Sequence, residues 1–201
     1  YYAFAKRYAK ILERSGITLK IQASAGSLEN IERLRKGEVD VAFVQGGIPY
    51  VPGEDDPDLA SIGSMYYEPV WVFYRGKREL HRLHDLAGQR IAVGAEGSGV
   101  RGLALQLLEA NEMPRDSKHF VPLSGTKAAD ALKNGEVDAV FVIAAPEAPL
   151  VREMLRMPGV RVMGFSQADA YTRRFPFLAR VVMPEGVFDL VRNVPPNDVV
   201  L

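Results

Sequence analysis

In the first part of the chain, the spacing of apolar positions changes three times between the period of a helix and that of a strand. Apolar side chains recur every three to four positions in residues 1–15, which predicts a helix, and alternate in residues 17–21, which predicts a strand. A short helix is predicted over 27–36 with Ser27 as its N-cap, and the nearly continuous apolar run 39–44 predicts a strand covered on both faces.

The second half of the chain repeats this alternation. Strands are predicted at 90–94, 120–121 and 137–142, with a Leu-rich helix after the first and a short helix before the last. Strands and helices that alternate at this length build βαβ units. We therefore predict an α/β fold with mainly parallel sheets flanked by helices.

An internal repeat suggests two similar lobes. Residues 34–44 recur as residues 132–142 with seven of eleven positions identical, at an offset of 98 residues. Chance convergence on a common helix–glycine–strand pattern is the alternative, but the flanking elements also follow the same order. An offset this long exceeds a solenoid repeat, which favours a duplicated lobe.

The lobes are predicted to be joined by two crossover segments that act as a hinge. Residues 65–74 are strongly β-prone, with Pro69 keeping part of the run off a central ladder, and residues 180–183 form a second extended run. The predicted boundaries are 1–66 for lobe one, with part of 184–201, and 67–183 for lobe two, including the crossover strands.

The repeat also predicts that lobe one is incomplete at the N-terminus. Lobe two begins with the strand 90–94 and a glycine-rich loop, and the counterparts of both would precede residue 1. Residues 198–201 break off where a strand begins. Residues 51–58 have the composition of a surface loop.

Composition excludes several classes of protein. Lys plus Arg and Asp plus Glu are both 25, so the net charge is zero and nucleic acid is not the expected partner. Hydrophobic residues at 47% and charged residues at 25% are typical of a folded globular chain. No membrane-spanning run or signal peptide is visible, and the absence of cysteine excludes thiolate zinc sites and Cys nucleophiles.

The loop from Gly94 to Arg101 carries the clearest chemical signal. It joins a predicted strand to a predicted helix, and its glycines allow a ligand to approach the main chain. A helix start presents unpaired N–H groups and the positive end of the helix dipole, which favours an anion. Ser98 adds a hydroxyl and Arg101 a positive charge. The alternative is a tight turn with a solvated arginine.

Two enzyme interpretations of the same loop are weaker. Residues 97–102 also spell G-x-G-x-x-G, but three residues separate the strand from the first glycine, and no acidic residue follows the second strand to hold a ribose. Ser98 as a nucleophile would need a glycine at position 96, where this chain has Glu96.

Metal binding is also disfavoured. His81, His84 and Asp85 lie in a basic, exposed stretch that lacks a second ligand cluster, so solvated surface is the preferred interpretation. We therefore predict no metal, no cofactor and no catalytic residues.

Other loops at predicted strand ends face the same cleft if the lobes oppose each other. These are residues 25–27, 45–47 and 144–146, where Gln45 is a polar side chain directly after an apolar strand. Tyr66 and Tyr67 either line the cleft floor or pack the hinge. The candidate ligand-binding residues are Gly26, Ser27, Gln45, Tyr66, Tyr67, Gly97, Ser98, Gly99, Val100 and Arg101.

Several stretches resemble the TAXI family of solute receptors for TRAP transporters. They are A-G-S-x-x-N at 25–30, G-E-V-D-V-A-F-V-Q at 37–45, Y-Y-E-P-V-W-V-F-Y at 66–74, G-x-x-G-S-G at 94–99, Q-A-D-A-Y at 167–171 and F-P-F-L at 175–178. The resemblance covers nearly the whole chain. This chain departs from the family in lacking the first strand with its glycine-rich loop, and the C-terminal return.

The resemblance implies a periplasmic-binding-protein fold of the type with two crossover strands. It implies capture of a small carboxylate, such as glutamate or a related dicarboxylate, in the periplasm for the permease subunits of a TRAP transporter. By position, it implies that Ser27, Gln45, Tyr67, Ser98, Gly99 and Val100 are the cleft contacts.

The first hypothesis is therefore a non-enzymatic receptor whose lobes close over a small anionic solute. A ligand-sensing module of a signalling protein is the alternative, because the same fold serves several functions. A nucleotide-binding or pyrimidine-synthase-like enzyme is a weaker alternative, since the chain has no cysteine and its histidines are poorly placed.

Overall fold

The computed structural model describes residues 2–47 and 59–201. The surface loop predicted at 51–58 lies outside the described residues. The helices are α1 Tyr2–Glu13, α2 Ser27–Arg35, α3 Gly99–Glu109, α4 Gly125–Asn134, α5 Pro149–Leu155 and α6 Ala168–Arg174, with a 3₁₀ turn at Leu83–Leu86. The strands are β1 Val70–Arg75, β2 Ile91–Ala92, β3 Phe120–Val121, β4 Ala139–Ile143, β5 Val160–Val162, β6 Val182–Met183 and β7 Val199–Val200.

Five of the strands form one sheet in the order β3-β2-β4-β1-β5. The strand β2 pairs in parallel with both β3 and β4, whereas β1 is antiparallel to both β4 and β5. All strands of this sheet except β1 therefore run in one direction, with helices packed against β4 and β5. The predicted α/β fold with a mainly parallel sheet is confirmed. We call residues 70–201 the sheet region and residues 2–47 the N-terminal region.

The strand β1 is an interior strand of this sheet. Its central side chains Trp71, Val72 and Phe73 are fully buried, as expected for a strand covered on both faces. The Trp71 indole N–H donates to the carbonyl of Ala144 at 2.9 Å, so its one polar atom is satisfied. The predicted β-prone run was longer than the strand, which begins directly after Pro69 because proline has no N–H for a ladder.

An ion pair clamps the strand β2 to β4. The Asp138 carboxylate accepts from the Arg90 backbone N–H at 2.8 Å, from Nε at 3.0 Å and from Nη2 at 2.8 Å. The Arg90 carbonyl accepts from the Asp138 N–H at 2.8 Å. This hydrogen bonding, first of all from the Arg90 side chain, lowers the pKa of Asp138 below its ordinary value of 3.8.

Replacing Asp138 with asparagine is expected to reduce the free energy of unfolding at pH 7 by about 1–2 kcal/mol, because the charge-assisted bonds are lost. A carboxyl whose pKa is lowered by folding stabilises the protein above its unfolded pKa, and this contribution is lost as the pH falls through the folded pKa. The decrease in the free energy of unfolding between pH 7 and pH 3, measured by urea denaturation, should therefore be smaller for D138N than for the wild-type protein. Equal decreases in the two proteins would show that the Asp138 carboxylate does not stabilise the fold.

The N-terminal region packs its helices around an extended segment. Tyr8 of α1 contacts Phe43 with ring centroids 5.8 Å apart, and the Asn30 side chain of α2 donates to the Phe43 carbonyl at 2.8 Å. These contacts join α1, α2 and residues 39–44 into one layer.

The strands predicted at 17–21 and 39–44 are not formed. Both segments lack ladder hydrogen bonds among the described residues, and Val41 and Val44 are exposed. The sheet region shows why: β3 and β4 do not pair with each other, since β2 lies between them. The described part of the N-terminal region has no strand in the place of β2, so an apolar segment alone does not become a ladder strand.

The two copies of the internal repeat end their helices in the same way, although only the second copy continues into a strand. Helices α2 and α4 end in a left-handed glycine, Gly37 with φ +66° and Gly135 with φ +73°. The N–H of the following residue binds the carbonyl five residues earlier, at 2.9 and 2.8 Å. This is the Schellman motif, in which a glycine ends the helix without steric cost.

The C-terminal segment packs against earlier parts of the sheet region. The strands β6 and β7 pair with each other, and the Phe165 N–H donates to the Val200 carbonyl at 2.8 Å. Phe188 packs on Trp71 at 6.1 Å, and Val199 and Leu201 are buried. The assignment of part of 184–201 to lobe one stays a prediction, as do the other predicted boundaries.

Candidate functional site

The turn from Gly94 to Arg101 begins α3, and its serine is used by the main chain. Ser98 is the N-cap: its Oγ accepts from the Arg101 N–H at 3.2 Å and donates to the Ala95 carbonyl at 2.7 Å. The hydroxyl therefore satisfies one unpaired N–H of the first helical turn. Its proton is already donated to a backbone carbonyl, which is not the geometry of an activated nucleophile.

Gly94 allows this turn to fold back onto the strand end. A Cβ at this position would lie 2.8 Å from the Arg101 nitrogen and 3.0 Å from Ser98 Oγ, and its φ is +99°. Only glycine meets both conditions. Gly97 also has a positive φ of +73°, but a Cβ there would meet nothing within 4 Å.

The start of α2 lies against the start of α3. A Cβ on Gly26 would be 3.6 Å from the Gly97 carbonyl oxygen, 3.6 Å from Ser98 Cα and 3.9 Å from the Gly99 nitrogen. The structure therefore brings four of the predicted residues together: Gly26, Gly97, Ser98 and Gly99. Two helix N-termini, each with a positive dipole end, meet at this place.

Ser27 has a different role from the predicted one. It is the first residue of α2 rather than its N-cap, Gly26 occupies the cap position, and no side chain caps the helix there. Ser27 is 1% exposed, and its Oγ accepts from the Gln45 N–H at 3.0 Å. The N-cap prediction was wrong because the hydroxyl satisfies a backbone donor from another segment. This bond holds the loop at 45–47 beside the start of α2.

The loop at 45–47 reaches the sheet region through Gly47. Its φ is +77°, and a Cβ there would overlap the Phe177 ring. Sequence reasoning included Phe177 only as part of the resemblance and did not predict this contact. The pair of glycines at 46 and 47 was the available signal, since adjacent glycines mark places where chains approach closely.

The two tyrosines differ in their surroundings. The Tyr66 ring stacks on Phe4 of α1 at 4.6 Å, and its hydroxyl is buried without a hydrogen-bond partner among the described residues. Burial, and then the charge of Glu68 and the neighbouring Tyr8, raise the pKa of Tyr66 to about 12, so it stays neutral at physiological pH. Tyr67 is 70% exposed. Tyr66 therefore packs the crossover onto the N-terminal region.

Arg101 supplies a partly buried positive charge in the first turn of α3. Its Nη1 atom is buried and has no hydrogen-bond partner among the described residues. A buried guanidinium nitrogen without an acceptor is costly, so this position favours an anion. The neighbouring Val100 is half-buried and packs against the hydrophobic core.

A groove of about 370 Å³ opens at the other end of α3, where sequence reasoning predicted nothing. Its lining residues are Gln106, Glu109, Ala110, Arg174, Phe175 and Phe177. Phe177 thus lines this groove and also contacts the loop at 45–47.

In the stretch that contains His81 and His84, the acidic side chain Asp85 has a structural role. The Asp85 carboxylate accepts the backbone N–H groups of His81 at 3.3 Å and Arg82 at 3.1 Å. Within residues 2–47 and 59–201, no group of three or more His, Asp or Glu side chains is arranged to hold a metal ion. No helix in these ranges is long and apolar enough to cross a membrane.

Comparison with protein families identifies the chain. The family model described as NMT1-like family matches residues 1–195. This protein is a member of the NMT1-like family. The match includes both copies of the internal repeat and the Gly94–Arg101 turn.

Solved structures with a similar fold are solute-binding proteins. An ancestral arginine-binding protein bound to arginine is 19% identical with a TM-score of 0.56, covering 79% of this chain and 66% of that one. The periplasmic aliphatic sulphonate binding protein SsuA from Escherichia coli is 20% identical with a TM-score of 0.53, covering 79% and 54%. The AvGluR1 ligand binding domain in complex with glutamate is 16% identical with a TM-score of 0.51, covering 81% and 66%.

These likenesses establish that the NMT1-like chain has the fold of periplasmic binding proteins. At such identities they show the fold alone. The chain spans 66% of the length of the arginine-binding protein and 54% of that of the sulphonate-binding protein.

Proposed function

We propose that this NMT1-like protein is a TAXI-type solute receptor that captures a small carboxylate in a cleft between two lobes. The solute is glutamate or a dicarboxylate of similar size, and the receptor delivers it in the periplasm to the permease subunits of a TRAP transporter. The observation that carries the proposal is the meeting of two helix starts, α2 at Gly26 and α3 at Gly97 to Gly99, together with Arg101 in the first turn of α3, whose Nη1 atom is buried without a partner among the described residues.

Main-chain groups and the guanidinium are the expected carboxylate ligands. The N–H groups of Gly99 and Val100, the first residues of α3, have no intrahelical acceptor, because the first turn of a helix leaves its donors unpaired. The hydroxyls of Ser27 and Ser98 are already used within the protein. A carboxylate between the helix starts gains charge-assisted hydrogen bonds without displacing either hydroxyl.

The proteins of similar fold support this class of solute. Arginine and glutamate each carry an α-carboxylate, and an aliphatic sulphonate carries a comparable anionic head. A shared fold does not transfer the ligand, so the support lies in the chemistry that the three solutes have in common.

Arg101 provides the direct test. Isothermal titration of the purified full-length protein against glutamate, other amino acids and dicarboxylates is expected to give heat with at least one of them. Arg101→Ala is expected to weaken that binding at least about 30-fold, because removing one partner of a buried charge pair costs roughly 2 kcal/mol or more.

Arg115→Ala is the matched control. This arginine lies just beyond the other end of α3, pairs with Glu109 at 2.7 Å and is half exposed, so its loss should leave the affinity unchanged. If titration with NAD gave heat of binding and titration with every carboxylate gave none, the receptor hypothesis would be rejected in favour of nucleotide binding. Equal affinities of R101A and wild type would remove Arg101 from the site.

A ligand-sensing role is the second candidate, favoured by the likeness to the AvGluR1 ligand binding domain. Both candidate functions use the same binding site. They differ in whether the bound solute is passed to a transporter or triggers a signal. A neighbouring permease gene supports transport, whereas a kinase, cyclase or DNA-binding segment in the same gene supports sensing.

A further inference from the structure

The ring of Phe177 rests directly on the main chain of Gly47. A Cβ added to Gly47 would overlap three ring carbons of Phe177. The Phe177 carbonyl oxygen lies 4.0 Å from the corresponding position on Gly46. The aromatic ring thus occupies the space that any side chain at position 47 would need.

The segment that carries Phe177 is fixed to the sheet region. The Phe175 N–H donates to the Tyr171 carbonyl at 2.8 Å, which ties the segment to the end of α6, and the Leu178 N–H donates to the Phe175 carbonyl at 2.9 Å. The rings of Phe175 and Phe177 are 5.9 Å apart. Phe177 therefore projects from a segment that is tied to the end of α6, with 43% of its surface exposed.

The contact on Gly47 is linked to the proposed anion site through the loop at 45–47 and the start of α2. Gly47 follows Gln45 closely, and the Gln45 N–H is bound to Ser27 Oγ at 3.0 Å. Ser27 in turn follows Gly26, which lies against the start of α3. Movement of the loop at 45–47 away from Phe177 would pull the Gly26 loop away from α3.

We propose that Phe177 is a positioning residue that holds the N-terminal region on the sheet region and so keeps the Gly26 loop at the start of α3. It contributes no ligand donor. Its effect on solute binding rests on the proposed function, whereas its effect on the relative position of the two regions does not.

The absence of cysteine makes the geometry directly measurable. Lys10 on α1 and Lys133 on α4 are both exposed and can be replaced by cysteine for spin labelling. Pulsed electron paramagnetic resonance on this Lys10→Cys, Lys133→Cys protein then measures the distance between the two regions. Without solute, the parent protein is expected to give one narrow distance distribution. Phe177→Ala is expected to give a longer mean distance and a broader distribution.

Gly47→Ala is the second variant, since its methyl group would displace the ring and shift the distance in the same way. Gly88→Ala is its matched control: Gly88 has φ +78°, but a Cβ there would meet nothing within 4 Å. It carries the same backbone strain and should leave the distance unchanged. In the double variant with F177A, G47A should add little, because the ring it displaces is gone.

An unchanged distance distribution in Phe177→Ala would overturn the proposal, as would an equal shift in Gly88→Ala. A titration with glutamate adds the link to the site. Suppose that only about one molecule in ten of F177A keeps the Gly26 loop at the start of α3. The affinity for glutamate then falls about tenfold, because only that fraction of the molecules can bind. A shifted distance with no glutamate binding in the parent would keep the positioning role and reject glutamate as the solute.

Discussion

Gly94→Ala is expected to lower the free energy of unfolding by about 2–4 kcal/mol and to abolish solute binding. The new methyl group would lie 2.8 Å from the Arg101 nitrogen and 3.0 Å from Ser98 Oγ, so the first turn of α3 must move away from the strand end. A backbone with φ +99° adds strain for any residue other than glycine. Urea denaturation measures the loss, and titration with the solute measures the effect on the turn.

Gly97→Ala separates strain from displacement. Its φ of +73° is also positive, but a Cβ would meet nothing within 4 Å. We expect it to cost only about 1 kcal/mol, the penalty of a left-handed conformation. Equal destabilisation by the two substitutions would show that contact with the start of α3 is not what requires glycine at position 94.

Trp71→Ala is expected to lower the free energy of unfolding by about 3–5 kcal/mol. The side chain is fully buried in the interior strand β1, next to Phe73 at 5.9 Å and Phe188 at 6.1 Å. Its loss leaves a large cavity and removes the donor to the Ala144 carbonyl. Far-UV circular dichroism during urea denaturation is the suitable measurement, because Trp71 is the only tryptophan in the sequence.

Tyr67→Ala is the control for that substitution. This aromatic side chain is only four residues earlier but 70% exposed, so its removal should change the free energy of unfolding by less than about 0.5 kcal/mol. A loss in Y67A comparable to that in W71A would mean that Tyr67 packs against a surface and is not free.

Sequence patterns predicted those features that depend on neighbouring residues. The alternation of helices and strands and the glycine turn at Gly94 follow from local steric and hydrogen-bonding rules. The extended run around Trp71 was also predicted. Its place as an interior strand between β4 and β5 was not, because apolar patterning does not specify the partner of a strand.

The same limit explains the errors at Ser27 and in the N-terminal region. A serine before a helical pattern is typical of an N-cap, but its acceptor role was taken by the Gln45 N–H, 18 residues away. The apolar run at 39–44 has the composition of a buried strand, yet a ladder also needs a neighbouring strand with free backbone groups. Neither the distant partner of the Ser27 hydroxyl nor the presence of a neighbouring strand can be inferred from a few consecutive residues.

By itself the sequence determined the α/β class, the repeated helix–glycine unit and the glycine turn that begins α3, because each depends on backbone conformation and on residues a few positions apart. Only the tertiary structure decided that Gly26 meets the start of α3, that Phe177 covers Gly47 and that Arg101 buries a guanidinium nitrogen without a partner among the described residues. These contacts join residues far apart in the chain, and their geometry follows from how whole elements pack rather than from any local preference.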